Sequence, residues 1–392
     1  MLSVQFNPDL SGSLPEFEKK SPLEELRLTS TGFFGEIPYS IGNLNSLQIL
    51  DMTNGNFWGS IPPSLGNLTK ITILQLNLNG FSGELPAAIG NLNSLQILDM
   101  SWCSFSGELP ATIGNLNSLQ RLDVGECNFW GSIPPSLGNL TKITFLHLRA
   151  NGFSGELPAA IGNLSSLEDL DLAANNFSSQ LPAVIGNLNS LQILDMSWCN
   201  FSGELPATIG NLNSLRQLDI GECNFWGSIP PSLGNLTKIT FLHLRANGFS
   251  GELPVAIGNL SSLEDLDLAA NNFSSQLPAA IGNLNSLQIL DMSWCNFSGE
   301  LPATIGNLNS LRQMDMGECN FWGSIPPSLG NLTKITFLHL IANEFSGELP
   351  AAIGNLSSLE DLDLSANNFS SQDSRSYSWM AKYSKLTSLM FT

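Results

Sequence analysis

Ionisable side chains recur in this chain on a fixed beat. The series Asp99, Asp123, His147, Asp171, Asp195, Asp219, His243, Asp267, Asp291, Asp315, His339 and Asp363 sets a carboxylate or an imidazole every 24 residues. If each stands on a strand beside the last, neighbouring carboxylates are about 5 Å apart, raise one another's pKa and favour a cation between them. Glu168 with Asp169, Glu264 with Asp265 and Glu360 with Asp361 add charge beside the row. Any single Asp reads as a structural residue satisfied by its neighbours; the summed negative field, which steers basic ligands, exists either way. Arg149 and Arg245 follow two of the histidines and locally relieve that field, whereas Ile341 holds the same place after His339. Catalysis is a poor fit. The three histidines are 96 residues apart, about 19 Å at the spacing of stacked strands, too far for one metal or one catalytic centre. No nucleophile elbow, phosphate loop or HExxH stretch occurs, and no CxxC or Cys/His cluster, so neither enzyme, cofactor nor metal site is expected.

Those residues need a frame that repeats with them. Gly-Asn recurs at Gly42, Gly66, Gly90, Gly114 and onward to Gly354, always 24 residues on, and a fixed period between about 20 and 50 marks a solenoid before any other reading. The unit at Leu263 reads LEDLDLAANNFSSQLPAAIGNLNS, and the others follow LxxLxLxxNxFxGxIPxxIGNLxx with conservative swaps. LxxLxL alternates apolar and polar residues, as a strand with one buried face does. Gly and Pro then end the strand, and PAAIGNLNS carries the chain back. One coil is too thin to bury its leucines alone, so the core comes from stacking neighbours. A longer period overlies the short one. Units of four kinds, typified by LQILDMSW, LRQLDIGE, ITFLHLRA and LEDLDLAA, run in that order from Leu95, Leu191 and Leu287, making 96-residue blocks that reflect tandem duplication.

Of 392 residues, 42% are hydrophobic and 12% charged, with a formal net charge of -19 from 34 acidic against 15 basic side chains. A phosphate backbone needs clustered Lys and Arg, so nucleic acid is excluded as a partner and a basic one is favoured. No stretch approaches about 18 consecutive apolar residues, so no membrane contact is expected within the chain. The start, MLSVQFNPDLSG, lacks the features of a secretory signal. Both ends read as interruptions of the array: Leu2 to Asn7 match a repeat entered partway, and KLTSLMFT at Lys385 to Thr392 stops inside a strand. The chain therefore divides as one array, with a partial repeat at 1–22, full 24-residue repeats over 23–382 and a partial repeat at 383–392. Gln372 to Tyr383 breaks the period and loses its LP turn, and reads either as an irregular loop or as the approach to the end of the array.

Over its whole length the unit resembles the plant-specific class of leucine-rich repeat. The opening NPDLSGSLPEF and the alternation of CNFSGELP with NFWGSIPPSLGNLTK are most similar to ectodomains of plant receptor-like proteins and receptor-like kinases. The resemblance implies an α/β solenoid: a right-handed superhelix with a parallel β-sheet on its concave face, short second strands, and 3-10 turns or loops on the convex face, here without the family's terminal caps. It also implies that the ninth position of each unit is a ladder asparagine whose amide bonds backbone groups of its own turn and of the neighbouring coil. Here the ladder reads Asn151, Asn175, Cys199, Cys223, Asn247, Asn271, Cys295, Cys319, Asn343, Asn367, with Cys103 and Cys127 earlier, so the six cysteines are ladder substitutes. Cys199 and Cys223 fall within the Cα range of a disulfide, but ladder side chains run parallel, and buried free thiols are expected. Trp102, Trp198 and Trp294 take the eighth position, at the edge of the concave face, either as interface anchors or as covers for the next turn. Trp58, Trp130, Trp226 and Trp322 are expected to be packing residues.

The function this implies is extracellular ligand recognition by a fragment of a plant cell-surface receptor in defence or developmental signalling. Its partners would be a peptide or protein ligand and a co-receptor kinase; its place would be the cell surface or outside the cell, with signal and anchor absent from the fragment. The concave residues expected to meet ligand are Trp102, Asp123, His147, Arg149, Asp171, Asp195, Trp198, Asp219, His243, Arg245, Asp267, Asp291, Trp294, Asp315, His339 and Asp363. Asn-x-Ser/Thr sites at Asn67, Asn139, Asn163, Asn176, Asn200, Asn235, Asn259, Asn272, Asn296, Asn331, Asn355 and Asn368 are candidate glycan acceptors and fit secretion. The alternatives are a secreted inhibitor of a cell-wall hydrolase, similar to polygalacturonase inhibitors although those arrays are shorter, and a non-functional gene remnant.

Overall fold

The computed structural model describes residues 1–19, 21–370 and 385–390; the segment Gln372 to Tyr383, expected as an irregular loop or the approach to the end of the array, lies outside them. The chain forms two compact units, Met1–Asn200 and Phe201–Thr392.

The coil that starts at Leu263 shows how the sequence builds each repeat. Leu263, Leu266 and Leu268 face inward and are fully buried, around a strand of only three residues, Asp265–Asp267. This strand pairs in parallel with Phe241–His243 on one side and Ile289–Asp291 on the other, each residue opposite its counterpart in the next coil. Ala270 then takes φ 53°, a left-handed turn that costs a residue with a Cβ about 1 kcal/mol. Asn271 holds that turn. Its Nδ2 donates to the carbonyls of Leu244 (3.0 Å) and Leu268 (2.9 Å), and its Oδ1 accepts from the Phe249 N–H at 3.1 Å. Behind it Phe273 lies between Phe249 and Phe297, with ring centroids at 6.5 and 5.2 Å. Pro278, in extended conformation, opens the five-residue 3-10 helix Ala279–Asn283, which buries Ile281. The glycine of IGN is required by packing: a Cβ on Gly282 would stand 2.3 Å from the Thr304 carbonyl oxygen of the next coil.

The pattern repeats within each unit. In the first, the parallel sheet runs from Leu2–Ser3 to Ile193–Asp195; in the second it runs from Gln217–Asp219 to Ser388–Met390. The terminal strand anticipated within Lys385 to Thr392 is present, with Leu362 opposite Leu389, three residues out of the 24-residue phase. The helical element of the expected α/β class is 3-10 throughout the described residues, because Pro at its start and Gly-Asn near its end leave room for little more than one turn.

The second sheet is less regular than the repeat suggests. In the first unit it has eight strands, from Ser11–Ser13 to Asn176–Phe177. In the second unit it falls into two sheets of four, separated between Asn272–Phe273 and Ser298–Gly299. The break coincides with Ser275. Most other coils place a glycine there with φ between 76° and 100°, a region closed to most side chains, Ser179 being the exception in the first unit; beyond Ser275 only the bridge Gln276 to Ser298 remains.

Candidate ligand-recognition face

The charged row stands where the repeat puts it, but its carboxylates are partly turned inward. In the first unit Asp123, His147, Asp171 and Asp195 lie on successive strands; in the second, Asp219, His243, Asp267, Asp291, Asp315, His339 and Asp363 do. The Asp side chains bond the turn that follows: Asp267 Oδ1 accepts the Ala269 N–H at 3.0 Å, and Asp195 Oδ1 accepts both the Ser197 N–H and its hydroxyl, at 2.9 and 2.7 Å. Asp99, Asp123, Asp171 and Asp363 are buried, while Asp195, Asp219, Asp267, Asp291 and Asp315 remain partly exposed. Burial is the main reason that Asp99, Asp267 and Asp315 are raised above the usual carboxylate range. It lifts Asp171 to about 6, with the Asp195 charge adding to the rise and the Ala173 N–H opposing it.

The histidines are clamped by carboxylates. His243 has Nδ1 3.7 Å from Asp219 and Nε2 3.3 Å from Asp265, and His339 stands likewise between Asp315 and Asp361. Burial of His243 opposes its charged form, but the flanking Asp219 and Asp265 carboxylates outweigh it and raise the pKa to about 9. Arg245 bonds Glu222 at 2.8 Å, and Arg149 stands 3.7 Å from Glu126 and 3.8 Å from Asp171, so both arginines are engaged within their own blocks.

Trp102, Trp198 and Trp294 are 52%, 61% and 66% exposed and sit at the left-handed turn, with φ of 55° to 56°. They are not brought together: four coils separate Trp102 from Trp198. Trp58, Trp130, Trp226 and Trp322, expected to pack, are instead about half exposed. They occupy the outward position of the second strand, beside the residue that begins the next one, and Trp130 borders a groove with Leu85, Pro86 and Pro110. The ladder cysteines behave as expected. Cys103, Cys127, Cys199, Cys295 and Cys319 are buried free thiols, each donating to a carbonyl of the preceding coil at 3.2 to 3.4 Å. Burial pushes Cys295 up to about 11 and Cys319 to about 12, so neither is a thiolate nucleophile at neutral pH. All twelve candidate glycan asparagines are exposed.

The aromatic neighbours of the histidines were not anticipated. Phe145, Phe241 and Phe337 stand two residues before the histidines, on the same side of the strand, with ring centroids 3.6 to 3.7 Å from the imidazoles. An aromatic at an outward strand position was the available signal. At Phe241 the sheet surface opens into a cleft of about 280 Å³ lined by Gln217, Thr240, Phe241, Glu264, Asp265, Gln288 and Ile289. Among the described residues no group of three or more His, Cys, Asp or Glu could hold a metal ion, and no helix is long and apolar enough to cross a membrane.

Similarity to known proteins bears on this face. The family model described as a leucine-rich repeat region matches residues 98–203, 183–298 and 281–391, and a second, Leucine Rich Repeat, matches 46–68. Comparison with curated protein sequences found no match. Among solved structures, the chain is similar to the ectodomain of the Arabidopsis thaliana membrane receptor kinase GASSHO1/SCHENGEN3, solved in complex with CASPARIAN STRIP INTEGRITY FACTOR 2. The identity is 34% and the TM-score 0.90, over 98% of this chain and 46% of that one. It is also similar to a TDR receptor, at 30% identity and TM-score 0.82 over 94% of this chain and 68% of that one. A third is the Arabidopsis receptor kinase HAESA in complex with the peptide hormone IDA and the co-receptor SERK1, at 29% and 0.80 over 99% and 69%. The chain thus spans just under half the length of the first of these and about two thirds of the others. Repeat, ladder and matched structures agree, and the chain belongs to the leucine-rich repeat family, in the form found in plant receptor ectodomains.

Proposed function

We propose that this chain is part of the extracellular, ligand-recognising region of a plant cell-surface receptor, that it carries no catalysis of its own, and that its outward sheet face takes a basic or amphipathic peptide or protein segment. The observation that carries this reading is the run of partly exposed carboxylates Asp267, Asp291 and Asp315 on adjacent strands, with Asp219 one strand beyond His243, set in a chain of net charge -19. Similarity to ectodomains solved with peptide ligands and with a co-receptor supports the class of partner. In this reading residues 1–392 are one array, a defence or developmental signal is the input, a co-receptor kinase is a second partner, and the exposed sequon asparagines carry glycans.

The test is to pan a random peptide library on the immobilised chain and to repeat the selection on a variant carrying Asp267→Asn and Asp291→Asn. Asparagine keeps the Oδ1 acceptor that holds the turn and removes only the charge. Enrichment of Lys- and Arg-rich peptides whose affinity falls about tenfold on the variant is the expected result. Selection of neutral or acidic peptides, or equal binding to both proteins, would overturn the reading.

A further inference from the structure

The duplicated blocks differ at one telling place. In the first block the strand residue opposite Phe145 is Arg121, and its guanidinium carbon lies 3.5 Å from the centre of the Phe145 ring, with Nη2 3.1 Å from Asp123 Oδ2. In the second block the two residues are exchanged: Gln120-Arg121 becomes Arg216-Gln217, so that Gln217 stands opposite Phe241. Every other lining residue is retained, Thr144, Glu168, Asp169, Gln192 and Ile193 recurring as Thr240, Glu264, Asp265, Gln288 and Ile289. The open cleft at Phe241 is therefore the place that the chain's own arginine fills one block earlier.

We propose that this cleft binds the guanidinium of an arginine side chain from a peptide, over the face of Phe241 and beside Glu264, Asp265 and Asp219. Three observations carry it. The ring offers a flat, electron-rich surface of the kind that attracts a cation, and Arg121 on Phe145 shows that the neighbouring backbone leaves room for a guanidinium there. The cleft is walled by carboxylates, with Glu264 held in place by the Gln288 amide at 3.1 Å. His243 does not preclude occupancy, since His147 holds the same position beside Phe145 while Arg121 covers the ring. Arg216 is not among the residues that line the cleft. The inference deepens the proposed recognition of a basic segment and rests on it, naming one side chain and the place it enters.

The experiment uses the full chain labelled at isoleucine methyl groups, with Ile289 assigned through Ile289→Val, and follows that resonance during titration with acetyl-Gly-Arg-Gly-amide. Arginine should shift the Ile289 methyl, and the citrulline analogue, equal in shape and uncharged, should not. Gln217→Arg alters an exposed residue and recreates the first-block arrangement; it should weaken the response at least about tenfold by supplying the occupant from within. The converse, Arg121→Gln, should open a second responsive site at Ile193. An equal shift with citrulline, or an undiminished response in Gln217→Arg, would overturn the proposal. If Ile289 stays silent while library selection still yields basic peptides sensitive to Asp267 and Asp291, the cleft alone is wrong; if both fail, the acidic-face reading falls with it.

Discussion

At the level of single residues, the Asp row serves two purposes at once. Its Oδ1 atoms close the turn after the strand, as Asp171 does with the Ala173 N–H at 3.0 Å, and its remaining oxygens make the field. That double use has a thermodynamic signature. Asp171 is raised to about 6 by burial, then by Asp195, so it favours the folded state fully below the unfolded value near 4 and loses that contribution as pH rises through about 6. Asp171→Asn keeps the turn bond and removes the buried charge. Its melting midpoint should rise by about 2 °C at pH 7.5, with the gain vanishing below about pH 4; a midpoint lowered equally at both pH values would show that the carboxylate is stabilising. His243 has the same sign for the opposite reason, its charged form being favoured, against burial, by neighbouring carboxylates. Its pKa of about 9 lies above the unfolded value, so its favourable contribution is complete below about pH 6.5 and is lost as pH rises through 9.

At the level of the structural element, one coil is a set of backbone requirements met by particular residues. Gly251 and Gly282 are both required, for different reasons. Gly251 has φ 76° and nothing within 4 Å of the place a Cβ would take, whereas Gly282 would drive a Cβ to 2.3 Å from a carbonyl oxygen of the next coil. Gly251→Ala should therefore cost about 1 kcal/mol, and Gly282→Ala several times that, because two stacked 3-10 helices must separate. Urea unfolding of the two variants checks the order, and equal costs would refute the packing argument. The coil was largely legible in the sequence. Its leucines, Phe273, Asn271 and the Pro-to-Gly-Asn segment are spaced by local geometry, and local geometry is written in neighbouring residues. The division of the second sheet at Ser275 was also written there, as SSQ in place of SGE, but its meaning depended on knowing that this position needs positive φ.

For the molecule as a whole, charge and duplication matter most. A net charge of -19 spread along a repeating frame accelerates encounter with basic partners and is screened by salt. Association of a selected Arg-rich peptide should slow about tenfold between roughly 20 and 200 mM ionic strength, measured by stopped flow, with a smaller change in dissociation. A rate insensitive to salt would remove the steering role. Duplication supplies three copies of each local arrangement, and small departures then individualise them: Arg121 against Gln217 and Gln313 beside the aromatic ring, and Arg149 and Arg245 against Ile341 beside the imidazole.

Period, strand, turn, ladder and sequons can all be read from the chain's letters, because each is a relation among residues within one coil or at a fixed offset between coils. The same reading placed Asp267, His243 and Trp198 on the correct positions of strand and turn. What those positions mean had to come from the fold in three dimensions. The inward bend of the Asp side chains onto the next turn, the half-exposure of Trp130 and Trp226, and the stacking of Arg121 on Phe145 depend on side-chain directions and on the residue 24 positions away. An exchange of two adjacent letters, Gln120-Arg121 for Arg216-Gln217, leaves composition and hydrophobic pattern untouched; it changes which side chain faces the ring, and that is settled by which of the two stands on the strand opposite it.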